Sequence, residues 1–246
     1  MTEREIDGWT AFDVAPITPS TGTARRGVYL HGGCYCFEIT AFHWRLVAEL
    51  ASQSGATITV PILPLAPAGT ASVVVRRVVS IVETAISEVG AHNVSVIGDS
   101  SGGGMALATA MALRDRHPEP LRAIALIAPW LDISGTDPVL QQIAPSDQCL
   151  AIPGLTAAGA LYRAELDEAD WRVSPLRGNF EGLGPITLIS GTRDILYADA
   201  LRMVPLARDA GVDVDWTVGE GMMHVYPLFP MPEAIPAREA LVRAIS

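Results

Sequence analysis

The sequence predicts an α/β fold, a mostly parallel sheet flanked by helices on both faces. Short apolar, β-branched segments alternate with stretches of helical spacing, the order that βαβ units require. Hydrophobic residues make up 49% of the chain against 18% charged, enough for a dense core. Between Asn93–Ile97 and the small-residue run that starts at Gly103 lies Gly98-Asp99-Ser100-Ser101-Gly102, giving strand, sharp turn and helix in succession.

The elements follow in order. Trp9–Val14 is the best early strand in the first thirty residues, and Val28–Leu30 is a short buried strand running into His31-Gly32-Gly33. Phe42–Leu50 is helical and ends near Gly55; Ala56–Val60 is the next strand. Val73–Glu88 is helical by its apolar spacing, although its β-branched residues lower the propensity. After the Asn93–Ile97 strand and its helix to about His117 come strands at Ala123–Ile127, Ile186–Ser190 and Val212–Val218. Pro232–Ile245 closes the chain as a helix. Ser134–Arg172 breaks the rhythm with loop and short helices, including Asp137-Pro138, Pro145-Ser146-Asp147 and Leu155–Glu165. Loops this long inside a domain are usually functional, and this one follows a strand's C-terminal end, where α/β sheets place ligands. It reads as a cap. With no repeat and no low-complexity linker, residues 1–246 are expected to form a single domain with a cap insertion at about 134–173.

Composition excludes several function classes. A net charge of −10 and an isoelectric point near 4.9 speak against nucleic acid and anionic membrane surfaces as partners. No basic cluster and no run of about 18 apolar residues is present, so no membrane span is expected. The N-terminal Met-Thr-Glu-Arg-Glu lacks the pattern of a signal peptide. Three cysteines, Cys34, Cys36 and Cys149, give no disulfide framework and suit a cytoplasmic location.

The turn at Ser100 carries the chemistry. A serine between flanking glycines at a strand-to-helix turn presents its hydroxyl at a helix N-terminus, where free N–H groups favour developing negative charge. Such a nucleophile needs a base, an orienting acid and an oxyanion hole, and in this kind of sheet the order along the chain is nucleophile, acid, base. His224, in the glycine-bearing loop after the final strand, is the base candidate; His43, His92 and His117 lie on or beside other elements. Asp194 follows the Ile186–Ser190 strand directly and is the acid candidate, with Asp199 as its rival five positions on. His31-Gly32-Gly33-Cys34 supplies the oxyanion loop, whose backbone N–H groups would act with that of Ser101. A metal site from His31, Cys34 and Cys36 would lack a fourth ligand, so no metal is expected. Tyr35, Trp130, Tyr162 and Trp171 are candidate pocket walls, although such aromatic residues equally serve as packing.

These motifs resemble those of the hormone-sensitive-lipase-like esterases, the α/β-hydrolase fold-3 group. Gly98–Gly103 is similar to their G-D-S-A-G-G and His31–Tyr35 to their H-G-G-G motif. Further matches are Leu65–Pro67, Pro129–Asp132, Ser174–Leu176, Ser190–Asp194 and Gly221–His224. The resemblance implies an α/β-hydrolase fold and hydrolysis of carboxylic esters without cofactor or metal. It makes Ser100 the nucleophile, Asp194 the acid and His224 the base. Gly33, Cys34 and Ser101 become the oxyanion donors, with Gly32 positioning the loop, and a homodimer is an assembly it allows. Cys34 stands where the group has a third glycine, Ser101 where it has alanine, and only thirty residues precede His31. A reduced cap and an open pocket are therefore expected, suited to small short-chain acyl esters or lactones. A catalytically silent binding protein and an amide hydrolase are the alternatives.

Overall fold

The computed structural model describes residues 1–17 and 22–246. Eight strands form one sheet: β1 (Thr2–Ile6), β2 (Trp9–Val14), β3 (Arg26–Leu30), β4 (Thr57–Pro61), β5 (Val94–Asp99), β6 (Ala123–Ile127), β7 (Ile186–Gly191) and β8 (Val214–Gly219). Their spatial order is β1-β2-β4-β3-β5-β6-β7-β8. The β1–β2 and β2–β4 pairs are antiparallel and the other pairs are parallel. Seven helices accompany them among the described residues: α1 (Ala41–Ser54), α2 (Ala71–Val89), α3 (Ser101–Arg114), α4 (Pro138–Ile143), α5 (Ile152–Arg163), α6 (Tyr197–Asp209) and α7 (Ile235–Ile245).

Side chains divide by parity along each central strand, as the two-residue period of a pleated strand demands. Val28 and Leu30 of β3, Val94 and Val96 of β5, and Ile124 and Leu126 of β6 belong to the larger core, with α2 and α3. Tyr29, Ile97, Ala125 and Ile127 belong to the smaller core, with α1 and α7. In α2, Val74, Val75, Val78, Val79, Val82 and Ala85 recur at helical spacing and are buried. Burial of that stripe outweighs the propensity cost of its valines. The cost is a few tenths of a kcal/mol each, whereas full burial of a valine gains about 1.5 kcal/mol or more.

The strands and helices read from the sequence are present, with shifts of a few residues at their ends. The strand β1 went unread because Thr2–Ile6 is polar and only Ile6 is buried; it pairs with β2 at the sheet's edge. In the 134–173 region the structure has α4, a short 3₁₀ turn and α5, with Leu140, Leu155 and Ala158 buried in the larger core. No described helix is long and apolar enough to cross a membrane.

Candidate active site

The parallel strands β5, β7 and β8 end on one edge of the sheet, and the loops leaving them bring three side chains together. Ser100 follows β5 with φ 53° and ψ −123°, a conformation L-residues rarely adopt. The surrounding backbone holds it there. Its N–H donates to the Ile127 carbonyl at 2.8 Å, and its carbonyl accepts from Trp130 at 2.9 Å and Gly103 at 3.0 Å. A side chain at position 102 would run into the backbone of Leu30 and His31, which is why the turn needs glycine there.

His224 Nε2 lies 2.9 Å from Ser100 Oγ, and His224 Nδ1 lies 2.7 Å from Asp194 Oδ2. Asp194 Oδ1 accepts the Leu196 N–H at 2.9 Å, which orients the carboxylate. Burial disfavours a charged imidazole at His224. The charge and hydrogen bond of Asp194, with Asp147 and Asp99 adding to them, outweigh burial and hold the His224 pKa above the ordinary imidazole value. The rival acid, Asp199, sits elsewhere: its Oδ2 accepts the N–H groups of Leu131 at 2.7 Å and Asp132 at 3.1 Å. Burial raises its pKa to about 7.

The candidate oxyanion loop is left-handed at three successive residues, Gly33 (φ 121°), Cys34 (φ 52°) and Tyr35 (φ 62°). Only Gly33 is a glycine, and a Cβ there would lie 2.6 Å from the Phe37 carbonyl oxygen. Hydrogen bonds hold the loop in this shape. Cys36 and Phe37 N–H both donate to the Gly33 carbonyl at 2.9 Å, Tyr35 N–H to Ser101 Oγ at 3.2 Å, and Ala66 N–H to the Tyr35 carbonyl at 2.9 Å. The hydroxyl at position 101 therefore anchors the loop. Among the described residues, the Gly33 and Cys34 amides donate to no protein acceptor, and Ser101 is the first residue of α3, where amides have no intrahelical partner. Gly32 N–H, by contrast, is spent on Asp99 Oδ1 at 3.0 Å.

Sequence reasoning missed Asp99 and His43. Asp99 is buried, accepts the Tyr29 hydroxyl at 2.6 Å and faces His43 Nε2 at 3.3 Å. Thr40 N–H donates to His43 Nδ1 at 2.9 Å, so in the neutral ring the proton sits on Nε2 and points at Asp99. Burial pushes the Asp99 carboxyl up, but the His43, Tyr29 and Gly32 donors more than reverse it and leave the pKa lowered. A carboxylate at the end of an apolar strand is a readable signal, because a buried charge must be partnered.

Ser100 and His224 are 3% and 6% exposed, and the chain at Gly32 packs directly on Ser100 and Asp99. Tyr35 and Tyr162 are buried, line a small cavity with His31 and Gly32, and stack with centroids 3.6 Å apart; Trp130 is buried and tilts against Tyr35 at 5.3 Å. Trp171 lines a separate cleft beside α2 and α3. His31 Nδ1 is turned to the Gly32 carbonyl at 2.7 Å, and no group of three metal-ligating side chains occurs among the described residues.

A family model described as alpha/beta hydrolase fold matches residues 27–228. The chain is 33% identical over 220 residues to a triacylglycerol lipase of Mycobacterium tuberculosis, covering 88% of this chain and 46% of that protein. It is 27% identical to an esterase of Acinetobacter venetianus, covering 84% of this chain and 69% of the esterase. The chain thus spans less than half the length of the lipase. A solved esterase of the bacterial hormone-sensitive lipase family superposes with a TM-score of 0.92 at 26% identity, covering 100% of this chain and 84% of the other. By family match and by the architecture around Ser100, the chain belongs to the α/β-hydrolase fold family and is similar to solved hormone-sensitive-lipase-family esterases.

Proposed function

We propose that the protein is a serine-dependent carboxylic ester hydrolase acting on small short-chain acyl esters or lactones, in the cytoplasm and without cofactor or metal. The observation that carries this reading is the continuous hydrogen-bonded chain from Ser100 Oγ through the His224 ring to Asp194. His224 Nε2 takes the Ser100 proton as the hydroxyl attacks the ester carbonyl. Asp194 holds the ring's orientation and stabilises the imidazolium, which then protonates the leaving alkoxide. Water repeats the sequence on the acyl-enzyme and releases the acid. The amides of Gly33, Cys34 and Ser101 receive the oxyanion, each donor contributing about 10²–10³ in rate. Gly32 serves differently, fixing the loop through its bond to Asp99. The deep seat of Ser100 supports a small acyl group, and α4 and α5 supply a short cap.

Hydrolysis of p-nitrophenyl esters from acetate to laurate, with Ser100→Ala alongside, tests the reading. Turnover that falls with chain length and vanishes in the variant is the expected result. A folded wild-type protein that hydrolyses none of them, or a variant that retains full turnover, overturns it.

A further inference from the structure

One carboxylate of the cap segment reaches outside the cap. Asp147 lies between α4 and α5, and its Oδ1 accepts the N–H groups of Cys149 at 2.7 Å and Leu150 at 2.9 Å, closing a local turn. An Asx turn of this kind leaves the second oxygen to solvent unless the fold claims it. Here Oδ2 accepts the N–H of Ile195 at 2.8 Å, across 48 residues of sequence. Ile195 is fully buried and directly follows Asp194. Its amide would otherwise stand without a partner at the most sensitive point of the loop. The two amides after the acid are thus each held by a carboxylate, Ile195 by Asp147 and Leu196 by Asp194 itself. The same stretch also comes near the base, since the backbone of His224 acts electrostatically on the Cys149 thiol.

We infer that Asp147 is a positioning residue for the acid–base pair: from the cap it fixes the peptide that follows Asp194 and places a second carboxylate near the His224 ring. The inference rests on the hydrolytic reading of Ser100, His224 and Asp194. Three carboxylates act on the ring, Asp194 from the loop after β7, Asp147 from the cap segment and Asp99 from the end of β5. The neutral Ser100 hydroxyl lies on its Nε2 side and the Cys149 thiol beside its backbone. All three charges favour the imidazolium, so loss of any one lets the ring deprotonate at lower pH.

The test combines the ring titration of His224 with the pH profile of ester hydrolysis. The ring is followed by its Cε1–H resonance, identified by its absence in His224→Gln. In Asp147→Asn the titration and the acid limb of kcat/KM should both move to lower pH by about half a pH unit. In the same variant kcat should fall about tenfold with KM little changed, because the loop that orients the acid is loosened. Asp147→Glu keeps the charge but displaces it; it should restore the acid limb while kcat stays low. Should Asp147→Asn not fold, the glutamate variant alone decides, by a lowered kcat on an unmoved acid limb. A folded Asp147→Asn with unmoved titration and limb overturns the inference, even if it melts earlier. If the wild-type protein hydrolyses no ester while the His224 titration still follows Asp147, the hydrolytic reading fails and the coupling of Asp147 to His224 stands.

Discussion

At the scale of single residues, two aspartates five positions apart do opposite work. Asp194 faces His224, whereas Asp199 ties the chain after β6 to α6 through the Leu131 and Asp132 amides. Asp194→Asn should cost about 10⁴ in kcat, as loss of the orienting acid does elsewhere; steady-state kinetics on a p-nitrophenyl ester reads it. Asp199→Asn keeps the acceptor and should leave kcat nearly unchanged. Its signature is in stability. The fold raises the Asp199 pKa to about 7, so it favours the neutral acid. That contribution is fully present below the unfolded value of about 4 and is lost as pH rises through about 7. Thermal melts between pH 4 and 8 should therefore flatten in Asp199→Asn, and an unchanged pH dependence would refute the assignment. Asp99 has the opposite sign: its lowered pKa stabilises the fold above the ordinary carboxylate range and ceases to do so on acidification. The partners of Asp99 and Asp147 were illegible in sequence because they lie far along the chain: 67 residues separate Gly32 from Asp99 and 48 separate Asp147 from Ile195. Ser100, His224 and Asp194 could be singled out because the topology of parallel strands puts consecutive strand ends on one edge, a rule that needs no knowledge of contacts.

At the scale of elements, the oxyanion loop and α5 meet in the Tyr35–Tyr162 stack. The Tyr162 hydroxyl is buried without a hydrogen-bond partner among the described residues. Tyr162→Phe should thus be as stable as the wild type or more so, since an unsatisfied hydroxyl costs about 1–3 kcal/mol. Tyr162→Ala should lose about 3–5 kcal/mol, the usual range for a large buried aromatic ring. Urea unfolding of the pair separates the two effects. In the loop itself, Cys34 holds φ 52°. Cys34→Gly should retain activity, whereas Cys34→Val should lose most of it, because a β-branched residue resists the left-handed region; equal activity in the two would mean that position 34 changes conformation freely. That three residues in a row would turn left-handed could not be read from one conspicuous glycine pair. The tyrosine is held there by its own N–H bond to Ser101 Oγ and by the Ala66 N–H on its carbonyl, and both partners come from other parts of the chain.

At the scale of the whole molecule, most of the sheet was legible because apolar runs and helical stripes alternate, and β1 was not because an edge strand needs little apolar character. The division of that sheet's side chains into two cores has a thermodynamic consequence. Val78 lies in the core with α2 and α3, and Leu50 in the core with α1 and α7, with the hydrogen-bonded sheet between them. Truncating both to alanine removes packing from two compartments that share no side-chain neighbours across the backbone layer. The unfolding free energies of Val78→Ala and Leu50→Ala should therefore sum in the double variant to within about 0.5 kcal/mol. Substitutions paired within one compartment, such as Val78 with Val82, will deviate from that sum. The molecule can thus accumulate changes on one side of its sheet without altering the tolerance of the other.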